Sequence, residues 1–379
     1  MKKKLNAIDV KILECLGTYG PRNINLIAEK LGISWDTVNY RLERLSTLFS
    51  FLASATVHGS NIGFRTAFLL VKSSASFRKV LQKCVKANDY WRYMSQIYGK
   101  VEGVFGVYTI PLEHTKDFIR FFHLLKSLRF IEDAQLYWVT GFLTINPSMK
   151  WFDIKSGKWL LRWKEWLNEI PHAEAKLPPI LKDPENFPLY ADYIDIFILS
   201  KLEANVMISF KEIAQQLGLT PPAIQYHYNE HVLKRGLISK WAILIRRFES
   251  DYDRFIFFFK FKSEEDMARF ASSIQDKPFS YSISRIYGEN TLITQLIIPS
   301  EQFRAFLESL SKLLMNGYLQ SYDYLLEDYT KAFARTIPEK NFRNDVWIYN
   351  HKKHIRGLMK EVIRTYDIMM IPLVTTQKK

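Results

Sequence analysis

The chain has 379 residues, more than one ordinary domain, and its 47% hydrophobic and 15% aromatic content excludes a largely disordered protein. Its net charge of +14 favours a polyanionic partner, nucleic acid first among them, without locating the surface that would bind it. No apolar run approaches the roughly 20 residues of a bilayer span, and two cysteines are too few for a disulfide framework or a cysteine-built zinc site. The basic start "MKKKLNAIDV" leads into no apolar signal region, so a cytoplasmic protein without membrane contact is expected.

The first elements in chain order are helical. In "AIDVKILECLGTY", Ile8, Ile12, Leu13 and Leu16 share one helix face, and "NINLIAEKLG" does the same with Ile24, Ile27, Ala28 and Leu31 before stopping at Gly32. Ser34 is placed to cap a third helix whose stripe is Val38, Leu42 and Leu45. Three short helices with a glycine turn predict a helix-turn-helix, and "FSFLASATVHG" suits the ribbon of a winged variant. Next come a strand "FRTAFLLVK", a helix "SFRKVLQKCVKANDYW", a hairpin "MSQIYGKVEGVFGVYTIP", a helix "HTKDFIRFFHLLKSL" and a strand "DAQLYWVTGFLTI". That order is βαββαβ, the ferredoxin-like unit, whose sheet has one face under helices and one apolar face in need of a partner.

The chain then repeats itself at a spacing of about 190 residues. "IDVKILECL" from Ile8 recurs as "IDIFILSKL" from Ile194, and "IAEKLGISWDTVNY" as "IAQQLGLTPPAIQY". "SQIYGK" recurs as "SRIYGE", and "TINP" ending at Pro147 as "RTIP" ending at Pro338. "GLISKWAILIRR" and the strands and helices from "DRFIFFFKFK" to "LQSYDYLLEDYTKAF" complete the second copy. An α+β protein of two tandem repeats is expected, each a winged helix-turn-helix followed by a ferredoxin-like domain, the two sheets pairing as an intramolecular pseudo-dimer. The expected boundaries are 1–60 and 61–150 for the first repeat and 151–189 for a helical segment with a proline-rich connector. The second repeat takes 190–248 and 249–338, and 339–379 form a basic C-terminal segment.

On these residues the sequence resembles the Lrp/AsnC (feast/famine) family of prokaryotic transcription regulators. The match runs through Leu5, Asp9, Ile12, Leu13, Ala28, Leu31, Gly32, Ser34, Thr37, Val38, Arg41, Arg44 and Leu45. It is weaker in the second copy, where Pro221, Pro222 and His227 replace Trp35, Asp36 and Arg41. The resemblance implies sequence-specific binding of double-stranded DNA, with the basal transcription machinery as a further partner. It also implies a small-molecule effector at the ferredoxin-like interface and further homodimerisation. The hairpins "YGKVEG" and "YGENTL" lack the family's aspartate, which speaks against an amino-acid effector.

Two unlike heads predict an asymmetric DNA site. In the first, Ser34, Trp35, Asp36, Asn39 and Tyr40 face outward, Asn39 suits adenine, and Ser34 or Thr37 suits phosphate. Arg41 and Arg44 suit phosphates, although Arg41 can instead pair with Asp9 or Glu43. In the second head the outward set is Thr220, Pro221, Pro222, Gln225, Tyr226 and Asn229, with His227 in place of Arg41 and Lys234 and Arg235 beside the expected wing. His227 and His231 have metal-chelating spacing, but no third ligand is evident. With no GxGxxG, no P-loop lysine and no GxSxG, we expect no catalytic residue, cofactor or metal and read the chain as a non-enzyme. The alternatives are a siroheme-decarboxylase-like enzyme, for which His114 and His123 are the only histidines in the first ferredoxin-like part, or an interaction module in which only the first head binds DNA.

Overall fold

The computed structural model describes residues 5–245 and 251–370, with the side chains of 365–370 set aside. The basic start Met1–Lys4, the arginines 246 and 247 that end the second expected ribbon strand, and the tail from 371 lie outside the described residues. Among the described residues no helix is long and apolar enough to cross a membrane.

The first head is α1 (Ala7–Tyr19), α2 (Ile24–Leu31) and α3 (Trp35–Phe49). Local chemistry sets each boundary. Asn6 and Asp9 form a capping box at α1, Gly32 ends α2 in the left-handed conformation (φ 63°), and the Ser34 hydroxyl accepts from the Thr37 amide at 3.1 Å. Val38, Leu42 and Leu45 are buried, as their spacing requires. Strand β1 (Leu52–Val57) follows.

Next come β2 (Phe64–Ser73), α4 (Arg78–Lys86), β3 (Trp91–Gly99), β4 (Gly103–Pro111), α5 (Thr115–Lys126), β5 (Ile131–Val139) and β6 (Leu143–Thr144). A crossing segment holds the small hairpin β7 (Phe152–Asp153) and β8 (Lys158–Trp159), then α6 (Trp163–Glu169). The second head is α7 (Tyr193–Ala204), α8 (Phe210–Leu217), α9 (Pro221–Tyr226) and β9 (Ile238–Leu244). The second ferredoxin-like unit is β10 (Tyr252–Lys260), α10 (Glu264–Ser273), β11 (Ser280–Arg285), β12 (Thr291–Pro299), α11 (Phe303–Met315) and β13 (Ser321–Ala334). A second small hairpin, β14 (Phe342–Arg343) and β15 (Val346–Trp347), leads to α12 (His351–Met370).

The two ferredoxin-like units share one antiparallel sheet of order β5-β2-β4-β3-β13-β10-β12-β11-β6. Strands β3 and β13 form one seam, with Tyr98 opposite Leu326 and Ile97 opposite Glu327. At the far ends Val139 bridges Ile286 and β6 pairs with β11, so the sheet closes on itself. Phe68, Phe105, Ile256, Ile293 and Leu325, drawn from both repeats, fill the interior. This is the expected pseudo-dimer, and closure removes the sheet edges that would otherwise invite aggregation. Gly103 at the start of β4 packs tightly on β2, where a Cβ would lie 1.9 Å from the Val71 carbonyl oxygen.

Three features go beyond the sequence reading. The expected ribbons are one ribbon, because β1 pairs with β9 and so ties the two heads together. The segments after each sheet are exchanged: Trp166 and Leu181 pack on the second unit's core, while Trp347 and Leu358 pack on the first unit's. The third helix of the second head also runs from α9 into a π-helical stretch at His227–Leu233. Its buried stripe is Ile224, Tyr228 and Val232, spaced 4 and 4, against 4 and 3 for Val38, Leu42 and Leu45, and the π-turn absorbs the extra residue.

Candidate functional site

On the first head, Trp35 (53% exposed), Asp36 and Tyr40 (66%) face solvent beside the cap formed by Ser34 and Thr37. Asn39 is turned back, its amide donating to the Trp35 carbonyl at 3.3 Å. Arg41 and Arg44 are held against the fully buried Asp9, with Nη1 to carboxylate distances of 2.9 and 2.6 Å. The intradomain pairing of Arg41 is therefore the arrangement present, and it extends to Arg44. On the second head Thr220 caps α9, Pro221 and Pro222 occupy its first turn, and Pro222, Gln225, Tyr226 and Asn229 are exposed. Lys234 pairs with Glu230 at 2.5 Å, and Arg235 donates to the Tyr190 carbonyl at 2.7 Å. His227 faces Asp195.

A second candidate site lies between the β1–β9 ribbon and the closed sheet, a cleft of about 460 Å³ lined by both repeats. That volume falls in the range of small-molecule pockets. On one wall, Arg92 pairs with Glu203 at 2.6 Å and donates from Nε to the Arg335 carbonyl at 3.1 Å. Arg335 stacks 5.3 Å over Trp91 and makes no ion pair among the described residues. Burial pulls its pKa down, so its charge sits in the wall at a cost that an anion would offset. Thr109 lines the same cleft, and its buried hydroxyl has no hydrogen-bond partner among the described residues.

Deeper in, the Tyr93 hydroxyl donates to Glu327 Oε1 at 2.5 Å, and Gln295 Nε2 donates to Oε2 at 3.1 Å. Glu327 is 2% exposed. Burial, together with that carboxylate, keeps the Tyr93 phenol protonated far above its ordinary range. Arg254 stacks on Tyr281 at 4.5 Å. Burial works against its charge, but Glu327, Tyr281 and Tyr93 outweigh this and hold its pKa above the ordinary value. Its Nε is buried without a hydrogen-bond partner among the described residues. Arg92 is paired with Glu203, while Arg335 has no ion pair among the described residues and feels Asp89 and Glu339 only through longer-range attraction. The geometry can hold a singly charged anion at Arg335 and a polar group at Thr109.

Sequence reasoning missed this cleft because its residues come from nine separate strands, helix α7 and the loops between them. The repeat alone hinted at it, in Arg335 of "RTIP" opposite the neutral "TINP". Histidines 114 and 123 lie elsewhere: His114 stacks on Tyr349 at 5.2 Å, and His123 is exposed on α5.

Residues 5–46 match the winged helix-turn-helix DNA-binding family. Comparison with curated protein sequences gives no significant match. Among solved structures, the chain is similar to the siroheme decarboxylase NirDL at 11% identity and a TM-score of 0.51, covering 95% of this chain and 99% of that one. The same enzyme in complex with an iron-uroporphyrin III analogue gives 12% identity and a TM-score of 0.50, covering 94% and 98%. E. coli AsnC matches at 16% identity and a TM-score of 0.29, over 36% of this chain and 93% of that one. The likeness to NirDL shows a shared fold of two tandem Lrp/AsnC-like units. It also corrects the expectation of a non-enzyme: an enzyme carries this architecture from end to end, helix-turn-helix heads included, so the heads do not exclude catalysis.

Proposed function

We propose that the chain acts on a carboxylate-bearing small molecule held in the cleft between ribbon and closed sheet, as an enzyme of siroheme-decarboxylase-like architecture. The observation that carries this reading is Arg335, a cation with no ion pair among the described residues, which lines the same cleft as the Thr109 hydroxyl between the two repeats. Its support from outside the chain is the whole-length likeness to NirDL. The residues fit a carboxylate and do not fit histidine ligation of a tetrapyrrole iron, since no histidine among the described residues lines the cleft.

The test is titration of the full chain with iron-uroporphyrin III, metal-free uroporphyrin III and small aromatic mono- and dicarboxylates, with mass spectrometry for loss of carbon dioxide. Saturable binding of one class, weakened about tenfold or more by Arg335→Gln, is the expected result. No binding by any of them would overturn it.

A second reading, double-stranded DNA binding by the first head, is supported by the family match at residues 5–46 and by exposed Trp35 and Tyr40 at the start of α3. The finer form, two unlike heads on an asymmetric site, rests on the different exposed residues of α3 and α9. Selection of bound fragments from random duplex DNA tests it. A perfect inverted repeat would sink the asymmetric form, and failure to enrich any sequence would sink specific binding.

A further inference from the structure

The second head replaces the ion-paired joint of the first with a different set of groups. In the first, buried Asp9 of α1 is neutralised by Arg41 and Arg44 of α3. In the second, Asp195 of α7 is equally buried, and His227 and His231 stand in the places of the two arginines. The π-turn makes this substitution possible. Without the extra residue, Glu230 would occupy the place of Arg44 and set a second carboxylate against Asp195; with it, His231 turns inward.

The donor atoms converge. His227 Nδ1 is 2.8 Å from Asp195 Oδ1, and His231 Nδ1 is 3.1 Å from Asp195 Oδ2. Asp192 Oδ2 lies 3.6 Å from each Nδ1, and the four ligand atoms fall within 4.8 Å of one another. The carboxylates are already oriented from behind: Asp192 Oδ1 accepts the Asp195 amide at 3.0 Å, and Asp195 Oδ2 accepts the Asp192 amide at 3.1 Å, the capping box of α7. Such outer contacts fix ligating side chains before a metal arrives.

We propose that Asp192, Asp195, His227 and His231 bind one divalent transition cation of the zinc class, which joins the second head's third helix to its first helix. Bonds of about 2.0–2.1 Å in a tetrahedron put neighbouring donors about 3.3 Å apart, close to the spacings found here. Two imidazoles and two carboxylates suit zinc, cobalt or nickel and not magnesium or calcium, which take all-oxygen sites. Charge points the same way. The first head brings two guanidinium charges to its buried carboxylate, and a dication brings the same two to Asp195. Among the described residues Arg235 is the one further cation within 4 Å of these carboxylates, its Nη1 3.9 Å from Asp195 Oδ2, and it is engaged by the Tyr190 carbonyl.

The experiment uses the untagged full chain, stripped with chelator and titrated with cobalt(II), then zinc(II), with magnesium(II) as control. One cobalt per chain, a visible absorption band of tetrahedral cobalt, displacement by zinc and indifference to magnesium are expected. His231→Ala lowers cobalt affinity about 100-fold or more. The double variant His227→Arg with His231→Arg rebuilds the first head's joint, and it stays folded while binding no metal at this site. Absence of stoichiometric cobalt in the folded wild-type chain overturns the proposal, as does unchanged cobalt binding in the double variant. Magnesium competing at comparable concentration overturns the zinc-class assignment.

Discussion

Asp9 is a carboxylate with no exposure to solvent, held by two guanidinium groups that are themselves only about a fifth to a quarter exposed. A buried charge with a partner removed is far more costly than the pair is stabilising, so Asp9→Asn is expected to lower the stability of the first head by about 3 kcal/mol. Urea denaturation followed by circular dichroism measures it, and an unchanged midpoint would show that the two ion pairs contribute nothing. Arg41→Ala belongs with this group, because loss of DNA affinity in that variant would mix a loosened α3 with a lost phosphate contact. Tyr40 is the cleaner probe of the DNA reading. Its ring is 66% exposed, so Tyr40→Ala should change stability by no more than about 0.5 kcal/mol. Any fall in duplex affinity measured by fluorescence anisotropy then reports on the binding face itself.

Helix α12 shows how one element is fastened to a distant partner. It packs on α4 and α5 of the first repeat, and its His354, 1% exposed, lies 3.4 Å from Asp89, which also pairs with Lys353 at 2.6 Å. The hydrogen bond from His354, with Lys353 adding to it against the opposing effect of burial, lowers the Asp89 pKa to about 2. A carboxylate depressed below its ordinary value of about 3.9 contributes stability that is complete above that value and lost as pH falls through about 2. An acid titration followed by tryptophan fluorescence is therefore expected to show α12 loosening between about pH 4 and 2. Asp89→Asn should lack that step and be less stable at neutral pH; an identical acid profile would remove Asp89 from the account.

This contact was not legible in the sequence, because Asp89 and Lys353 are joined only by the exchange of segments between repeats. What was legible was local: the cap at Ser34, the glycine stop at Gly32, the buried stripe of α3 and the βαββαβ order. The π-turn sits between these cases. Its sign, a buried spacing of 4 and 4 in place of 4 and 3, is visible in the letters, but His231 gains meaning only when Asp195 is known to lie beneath it. Arg335 and Thr109 carry no motif at all, since only the closed sheet brings them together.

At the scale of the whole molecule the two repeats are interlocked three times: by the β1–β9 ribbon, by the seams that close the sheet, and by the exchanged segments. Trp166 belongs to the segment after the first sheet, yet it is buried against Phe270, Phe279 and Phe306 of the second unit, and its indole donates to Ser273 at 3.1 Å. Trp347 mirrors it, 4.2 Å from Phe64 and donating to the Ile62 carbonyl at 2.8 Å. A repeat that opens alone would strip the shared interior of half its side chains and leave the β3 and β13 edges unpaired, so opening should be a joint event. Trp166→Ala removes a large core side chain, a loss of about 3 kcal/mol or more. If the halves open together, amide exchange in β2 of the first repeat should speed up by the same factor as in β10 of the second, about a hundredfold. Hydrogen exchange with mass spectrometry reads both strands in one experiment. Acceleration confined to β10, α10 and α11 would mean that the second repeat unfolds on its own and that the interlock is geometric without being energetic.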